Sequence, residues 1–266
     1  MGKLAGVLMA QNRLEIAQIP VLQDNYLFLI HDPASGETAI IDPAVEDDTV
    51  AALEARGWTP THIFNTHHHW DHVGANLALK EKYGLTIVGP AADRERIPGI
   101  DVAVGEGDKV HLGSIAADVI FVPGHTSGHI AYHFADDGAL FCGDTLFAMG
   151  CGRLFEGTPD EMWSSLTKLM SLPDETAVYC AHEYTMANGK FALTVDPENI
   201  DLQARMREVE DLRARDIPTV PTTIGIEKAT NPFLRPMDER LQDTVGLVGA
   251  PLPAVFAEVR KRKDNF

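Results

Sequence analysis

Thr66-His67-His68-His69-Trp70-Asp71-His72 decides how the rest of this chain is read. It follows the apolar run Ile63-Phe64, where a strand ends and the backbone leaves its sheet. In extended backbone, His67 and His69 are two residues apart and point the same way, while His68 points to the opposite face. Asp71 and His72 come next, at the turn into a helix. Three imidazoles besides His68, those of His67, His69 and His72, crowded together with the Asp71 carboxylate, point to a cation that relieves the crowding.

Three more residues extend the set. His125 stands in Pro123-Gly124-His125-Thr126, Asp144 in Cys142-Gly143-Asp144-Thr145, and His182 just past Val178-Tyr179-Cys180. Each is a metal-ligand type of residue at a strand's exit, the edge where α/β sheets assemble their sites. Together the candidates are His67, His69, Asp71, His72, His125, Asp144 and His182, enough donors for two metals. His31, His62, His111, His129 and His133 lack such neighbours and read as structural.

The remaining sequence supplies an α/β frame. Strands are expected at 14–19, 26–30, 38–41, 61–64, 85–88, 116–122, 130–134, 139–142 and 177–180, with helices at 47–56 and 75–83 between them. Thr158-Pro159-Asp160-Glu161 is a capping box with proline in the first helical position, so a helix starts there and runs to about 172. Beyond 183 the pattern turns helical, at 186–195, 198–215 and 253–263. This predicts a mixed α/β domain over 1–183 and a small all-helical domain over 184–266.

Composition narrows the function. The 45% hydrophobic and 23% charged fractions of these 266 residues suit a globular chain, and no apolar run reaches the ~18 residues of a membrane span. With 22 basic and 39 acidic residues the net charge is −17, which disfavours nucleic acid and anionic lipid as partners. Three cysteines, Cys142, Cys151 and Cys180, are too few for a disulfide framework and suit a reducing compartment. The apolar stretch 4–10 is short for a signal peptide and no A-x-A site follows, so it reads as an added arm on a cytoplasmic protein.

T-H-H-H-W-D-H, P-G-H-T, C-G-D-T and C-A-H-E-Y, in that order, resemble the metallo-β-lactamase superfamily. Gly152-Arg153-Leu154-Phe155-Glu156-Gly157-Thr158, Ala181-His182-Glu183-Tyr184-Thr185, Asn231-Pro232-Phe233 and the basic C-terminus narrow the resemblance to the hydroxyacylglutathione hydrolases, or glyoxalase II. It implies an αββα sandwich and a binuclear centre, with zinc expected and iron or manganese as alternatives. His67, His69 and His125 would hold one metal, Asp71, His72 and His182 the other, and Asp144 would bridge them. Asp71 would take the nucleophile's proton, making Asp71 and Asp144 the catalytic carboxylates.

The implied substrate is a small molecule, a glutathione thioester such as S-D-lactoylglutathione, hydrolysed by a monomer. Arg153, Tyr184, Arg260 and Lys263 match glutathione contacts. Phe155 stands where some relatives have tyrosine, which removes one hydroxyl. Arg260-Lys261-Arg262-Lys263 is the densest basic cluster and, at a helix end, is expected to be exposed and screened. The nearest rival is a glutathione-persulfide dioxygenase of the same superfamily, with one iron on His67, His125 and Asp144. A metallo-nuclease and a non-catalytic binding module are weaker: the surface is acidic, and all seven candidate ligands are present.

Overall fold

The computed structural model describes residues 14–266, and the apolar arm at 4–10 lies outside the described residues. The first sheet begins with β1 (Glu15–Val21), β2 (Asn25–Asp32) and β3 (Glu37–Ile41), paired antiparallel. Helix α1 (Glu46–Glu54) then crosses to β4 (His62–Phe64). Helices α2 (Trp70–Val73) and α3 (Asn76–Tyr83) lead to β5 (Thr86–Pro90), and β6 (Val102–Val104) closes the sheet in sequential order. From β3 to β6 the pairing is parallel.

The second sheet starts with β7 (Lys109–Leu112), β8 (Ile115–Phe121), β9 (Ile130–Phe134) and β10 (Ala139–Gly143), an antiparallel meander. A small hairpin, β11 (Leu146–Phe147) with β12 (Gly150–Cys151), precedes helix α4 (Pro159–Met170) and strand β13 (Ala177–Cys180). Helices α5 (Thr185–Val195) and α6 (Ile200–Arg213) follow, then a two-residue strand β14 (Thr222–Thr223) and helices α7 (Ile224–Thr230), α8 (Glu239–Val245) and α9 (Leu252–Asp264). The sheet order is β14-β13-β10-β9-β8-β7, with β13 parallel to β10. The region after residue 183 is therefore helical apart from one short strand, which it lends to the second sheet's edge.

Alternation within β2 shows why the layers stack as α/β/β/α. Tyr26, Phe28 and Ile30 point into the core between the sheets, beside Phe64, Tyr132 and Phe141. Leu27 and Leu29 point the other way, to Leu53 and Leu79 on the outer helices. A strand covered on both faces is apolar along its covered length, as β2 is from Tyr26 to Ile30. The capping box at Thr158 and Glu161 forms as its sequence predicts.

Differences fall where the sequence signal is short or mixed. The turn after β4 is a separate one-turn helix, α2, that carries Asp71 and His72. Edge strands β6 and β7 carry exposed residues, Val102, Lys109 and His111, and at three and four residues they are too short to stand out in the sequence. No helix among the described residues is long and apolar enough to cross a membrane.

The β11–β12 turn is held from the C-terminal helices by a buried carboxylate. Glu227 on α7 accepts from Met149 N at 2.7 Å, Thr222 Oγ1 at 2.7 Å and Asn231 Nδ2 at 2.9 Å. Asn231 Nδ2 also donates to Phe147 O and Gly150 O, at 3.1 and 2.9 Å. Burial pushes the Glu227 carboxyl above its usual range, against the pull of these donors. Glu227→Ala would strand the buried Met149 N–H and Thr222 hydroxyl, so it should cost about 2 kcal/mol. Thermal unfolding followed by circular dichroism should show a midpoint lower by roughly 4–8 °C.

Candidate metal centre

The seven candidate ligands meet at the exits of β4, β8, β10 and β13, along one edge of the sandwich. Parallel pairing of β10 with β13 brings Asp144 and His182 to the same end, and a register shift at Phe141/Gly143 turns the chain there. Gly143 has φ +48, and a Cβ on it would overlap the Thr66 hydroxyl and the His129 ring, so glycine is required.

His67, His69 and His125 form one cluster, and Asp71, His72 and His182 another, each with donor atoms within 4.8 Å of one another. In the first, His69 Nδ1 lies 3.1 Å from His67 Nε2 and 3.0 Å from His125 Nε2. In the second, Asp71 Oδ2 lies 3.6 Å from Nε2 of both His72 and His182. Asp144 stands between them. Its Oδ2 is 3.3 Å from His125 Nε2, and its Oδ1 is 3.5 Å from His72 Nε2 and 3.4 Å from His182 Nε2.

Outward hydrogen bonds set which nitrogen of each ring faces this centre. His125 Nδ1 donates to Arg153 O at 2.9 Å, His72 Nδ1 to Asp42 at 3.1 Å and His182 Nδ1 to Asp24 at 2.9 Å. The Thr66 hydroxyl donates its one proton to Asp42 at 2.7 Å, so His67 Nδ1 must donate to that oxygen, at 3.0 Å. Each outward bond thus commits Nδ1 and leaves Nε2 as the ring atom that faces the centre.

Metal ions fit this arrangement. Asp144 Oδ1 and His72 Nε2 are buried and have no hydrogen-bond partner. Orphaned polar atoms of this kind are costly unless a cation takes their lone pairs. The donors are imidazole and carboxylate, with no thiolate among them, a set that suits zinc, iron or manganese.

The two clusters differ in charge. Burial, and then the neighbouring imidazoles, hold His67 well below its ordinary value and bring His69 down to about 4, so the first cluster is neutral at pH 7. At His182 burial acts downward, but Asp144, Asp24 and Asp71 outweigh it and lift the ring to about 9. His72 is raised by the same contest with Asp144 and Asp42. Burial likewise disfavours the Asp144 carboxylate, yet His182 and His72 keep it well below the usual range.

Several supporting residues escaped the sequence reading. Asp42 and Asp24 are strand-end and turn carboxylates whose ring partners are distant in the chain, and Asn25 Nδ2 donates to Asp71 Oδ2 at 3.0 Å. His129, read as lying outside the site, stacks on His67 at 4.5 Å and accepts from Asp144 N at 3.1 Å. The usable signal was position: Asp42, like the ligands, follows directly on a strand. His68 points away and pairs with Asp93 at 2.9 Å.

A cavity of about 650 Å³ opens onto both clusters and is also lined by Arg153, Phe155, Tyr184, Arg260 and Lys263. Tyr184 stacks flat on His182, with ring centroids 4.7 Å apart. Phe155, 62% exposed, sets its edge 5.2 Å from the His125 ring. The basic helix end is exposed at Lys261, as expected from sequence, but not at Arg260. Arg260 is 4% exposed, donating to Cys151 O at 3.0 Å and to Asp264 at 2.7 Å. It is buried because α9 packs Phe256 and Val259 into the core beside it. Lys263 donates to Ala187 O at 3.2 Å, and burial, then Arg260 and Arg153, pull its ammonium below its ordinary value.

Residues 20–182 match the family model of the metallo-beta-lactamase superfamily, and residues 183–266 match that of the hydroxyacylglutathione hydrolase C-terminus. The chain belongs to the hydroxyacylglutathione hydrolase family. Within that family, the hydroxyacylglutathione hydrolase of Methylococcus capsulatus is 58% identical over 253 residues, covering 95% of this chain and 99% of the relative. That of Rhizobium meliloti (strain 1021) is 57% identical over 243 residues, 91% and 95% of the two chains. Among solved structures, TTHA1623 in a di-iron-bound form has a TM-score of 0.58 and 27% identity, over 82% of this chain and 98% of that one.

Proton inventory separates the two halves of this hydrolase family member's centre. A cation entering the second cluster at neutral pH must displace the His182 proton, whereas the first cluster has none to lose. Metal titration of the chelated protein between pH 6 and 8 should show second-cluster affinity rising at least about tenfold per pH unit. First-cluster affinity should be nearly flat over that range. Equal slopes at the two sites would contradict this division.

Proposed function

We propose that this protein hydrolyses S-(2-hydroxyacyl)glutathione, with S-D-lactoylglutathione as substrate and D-lactate and glutathione as products. That is the second step of methylglyoxal detoxification. The observation that carries the reading is one cavity joining the seven-donor centre to Arg153, Arg260 and Lys263 in a chain of net charge −17. Cations so concentrated in an acidic protein suit a ligand that, like glutathione, bears two carboxylates. The name of the relatives, hydroxyacylglutathione hydrolase, supports the same substrate class.

In this proposal His67, His69 and His125 hold one divalent ion, Asp71, His72 and His182 hold a second, and Asp144 contacts both. Zinc is the expected metal, and the di-iron form of one structural relative supports a two-ion centre. Bound there, such ions supply hydroxide at neutral pH, by lowering the pKa of water to about 7, and polarise a carbonyl oxygen. The protein's own groups do the rest. Asp71 faces the cavity, with Asn25 fixing its Oδ2, and its carboxylate is placed to take the nucleophile's proton. The leaving group is a thiolate of pKa near 8.5, so no strong general acid is required.

Tyr184, Arg153, Arg260 and Lys263 position the glutathione half, with the last two at its glycine carboxylate. The catalytic domain is assigned to 1–183 and the substrate-binding domain to 184–266, a division supported by the meeting of the two family models at 182/183. Three buried, unpaired cysteines support a reducing location, which we take to be the cytoplasm, and we propose a monomer. The one-iron dioxygenase reading is not favoured, because it leaves the Asp71, His72 and His182 cluster without a purpose.

Chelation should abolish hydrolysis of S-D-lactoylglutathione, and added zinc, manganese or iron should restore it. His182→Ala should lower the metal content and reduce turnover at least about a hundredfold. A fully active one-metal variant would sink the two-ion mechanism.

Lys263 tests binding apart from chemistry. The glycine carboxylate keeps its charge throughout hydrolysis, so its contacts contribute equally before and during the reaction. A charge-assisted bond is worth roughly 1.5–3 kcal/mol, with the low end expected for a half-exposed group. Lys263→Ala should therefore raise KM at least about fivefold with kcat within about threefold, less so at high salt. Arg260 is a poorer probe because it also ties down Cys151 and Asp264. An unchanged KM at low salt would remove Lys263 from the binding site.

A further inference from the structure

The 152–157 loop between β12 and α4 has no regular secondary structure, yet it touches both chemistry and binding. Its Arg153 carbonyl accepts from His125 Nδ1 at 2.9 Å, and the Arg153 and Phe155 side chains line the cavity. Backbone hydrogen bonds secure only its ends, from Gly152 N to Thr145 O at 3.2 Å and from Gly157 N to Gly124 O at 3.0 Å.

The middle of the loop is held by a side chain. Glu156 accepts from Ser127 N at 2.8 Å, from Ser127 Oγ at 2.9 Å, and from Arg96 at 2.5 and 3.1 Å. Arg96 also donates to Asp93 and, at 3.1 Å, to Ser127 Oγ, and its Nη1 lies 3.2 Å from His68 Nε2. Asp93 is fully buried, and a Cβ on Gly128 would overlap its carboxylate, so the cluster has no slack on that side. A single planar guanidinium thus joins three loops. His68 sits between two candidate ligands, Ser127 lies two residues past His125, and Glu156 adjoins Phe155. The hydrogen bond from Arg96 is the chief reason the Glu156 carboxyl lies as low as about 2, so the pair is ionised wherever the enzyme works.

We propose that Arg96 and Glu156 are positioning residues for the thioester hydrolysis, clamping the 152–157 loop against the two histidine loops. The clamp keeps the Arg153 carbonyl on His125 and presets Arg153 and Phe155 for substrate. An isolated surface ion pair would contribute little, and the difference here is that both partners are also bonded to buried or backbone groups. The role rests on the thioesterase reading, but the clamp itself is observable without turnover.

The test compares the metal-loaded wild type with Arg96→Ala, Arg96→Lys, Glu156→Gln and the double variant Arg96→Ala/Glu156→Ala. Amide hydrogen exchange at Gly152 and Gly157, the two loop N–H groups that are hydrogen-bonded, should quicken at least about tenfold in Arg96→Ala, with β9 and α4 unchanged. KM for S-D-lactoylglutathione should rise at least about fivefold, and kcat should fall by a smaller factor as His125 loses its fixed acceptor. Arg96→Lys should fall between wild type and alanine, because an ammonium keeps the charge and loses the fork. The double variant should match Arg96→Ala within about twofold, as expected of partners in one network. Glu156→Gln keeps the volume and one acceptor oxygen but sets an amide NH2 against the donors, so its loop exchange should also quicken, and it decides the matter if the alanine variants fail to fold. Loop exchange unchanged from wild type would overturn the clamp, whatever happens to KM. Fast loop exchange with an unaltered KM would overturn its role in substrate positioning. A wild type that does not hydrolyse the thioester would defeat the functional reading, while the exchange data would still decide the clamp.

Discussion

A carboxylate that must be ionised while buried governs this structure. Asp144 is 7% exposed, and one of its oxygens lacks any hydrogen-bond partner. Burying such a group is costly unless positive charge faces it. Imidazoles from three other segments surround it, and their outer nitrogens are all committed to acceptors elsewhere. The sandwich satisfies this constraint with strand exits. Each strand delivers one short loop to the same edge, and the apolar faces behind it hold that edge rigid.

The acceptors behind the rings tie distant parts of the chain to the centre. Asp42, from the end of β3, accepts hydrogen bonds from His72 and Thr66, and through Thr66 it fixes His67. Asp24, in the turn before β2, fixes His182. The Arg153 carbonyl fixes His125 and belongs to the loop that also lines the cavity. The orientation of the donors and the shape of the cavity are therefore parts of one hydrogen-bonded frame. The neutral first cluster and the proton-holding second cluster follow from where carboxylates stand: Asp144 lies near both, but Asp71, Asp42 and Asp24 all sit around the second.

Charge is distributed against the average of the molecule. The chain carries −17 overall, yet Arg153, Arg260 and Lys263 gather at the mouth of the centre. Arg260 holds its place through Cys151 O, Asp264 and the face of Phe233, 5.0 Å away. Helix α9 thus closes the cavity by packing into the core, and its basic end is part of the wall. Glu227 and Asn231 hold the neighbouring β11–β12 turn from the same side.

The sequence by itself determined the strand-and-helix alternation, the capping box at Thr158 and the set of candidate ligands, because those signals are local. A two-residue spacing puts His67 and His69 on one side, and a strand's end is visible as the last apolar residue before a polar one. It could not determine β6, β7 or β14, which are edge strands of two to four residues, too short for a pattern to register, nor the one-turn helix that carries Asp71 and His72. Only the tertiary structure decided that Asp42, Asp24 and His129 belong to the site, that Arg260 is buried, and that Arg96 meets Glu156. Each of these depends on a partner 15 to 158 residues away, and no short-range pattern encodes a contact made when two sheets close on each other.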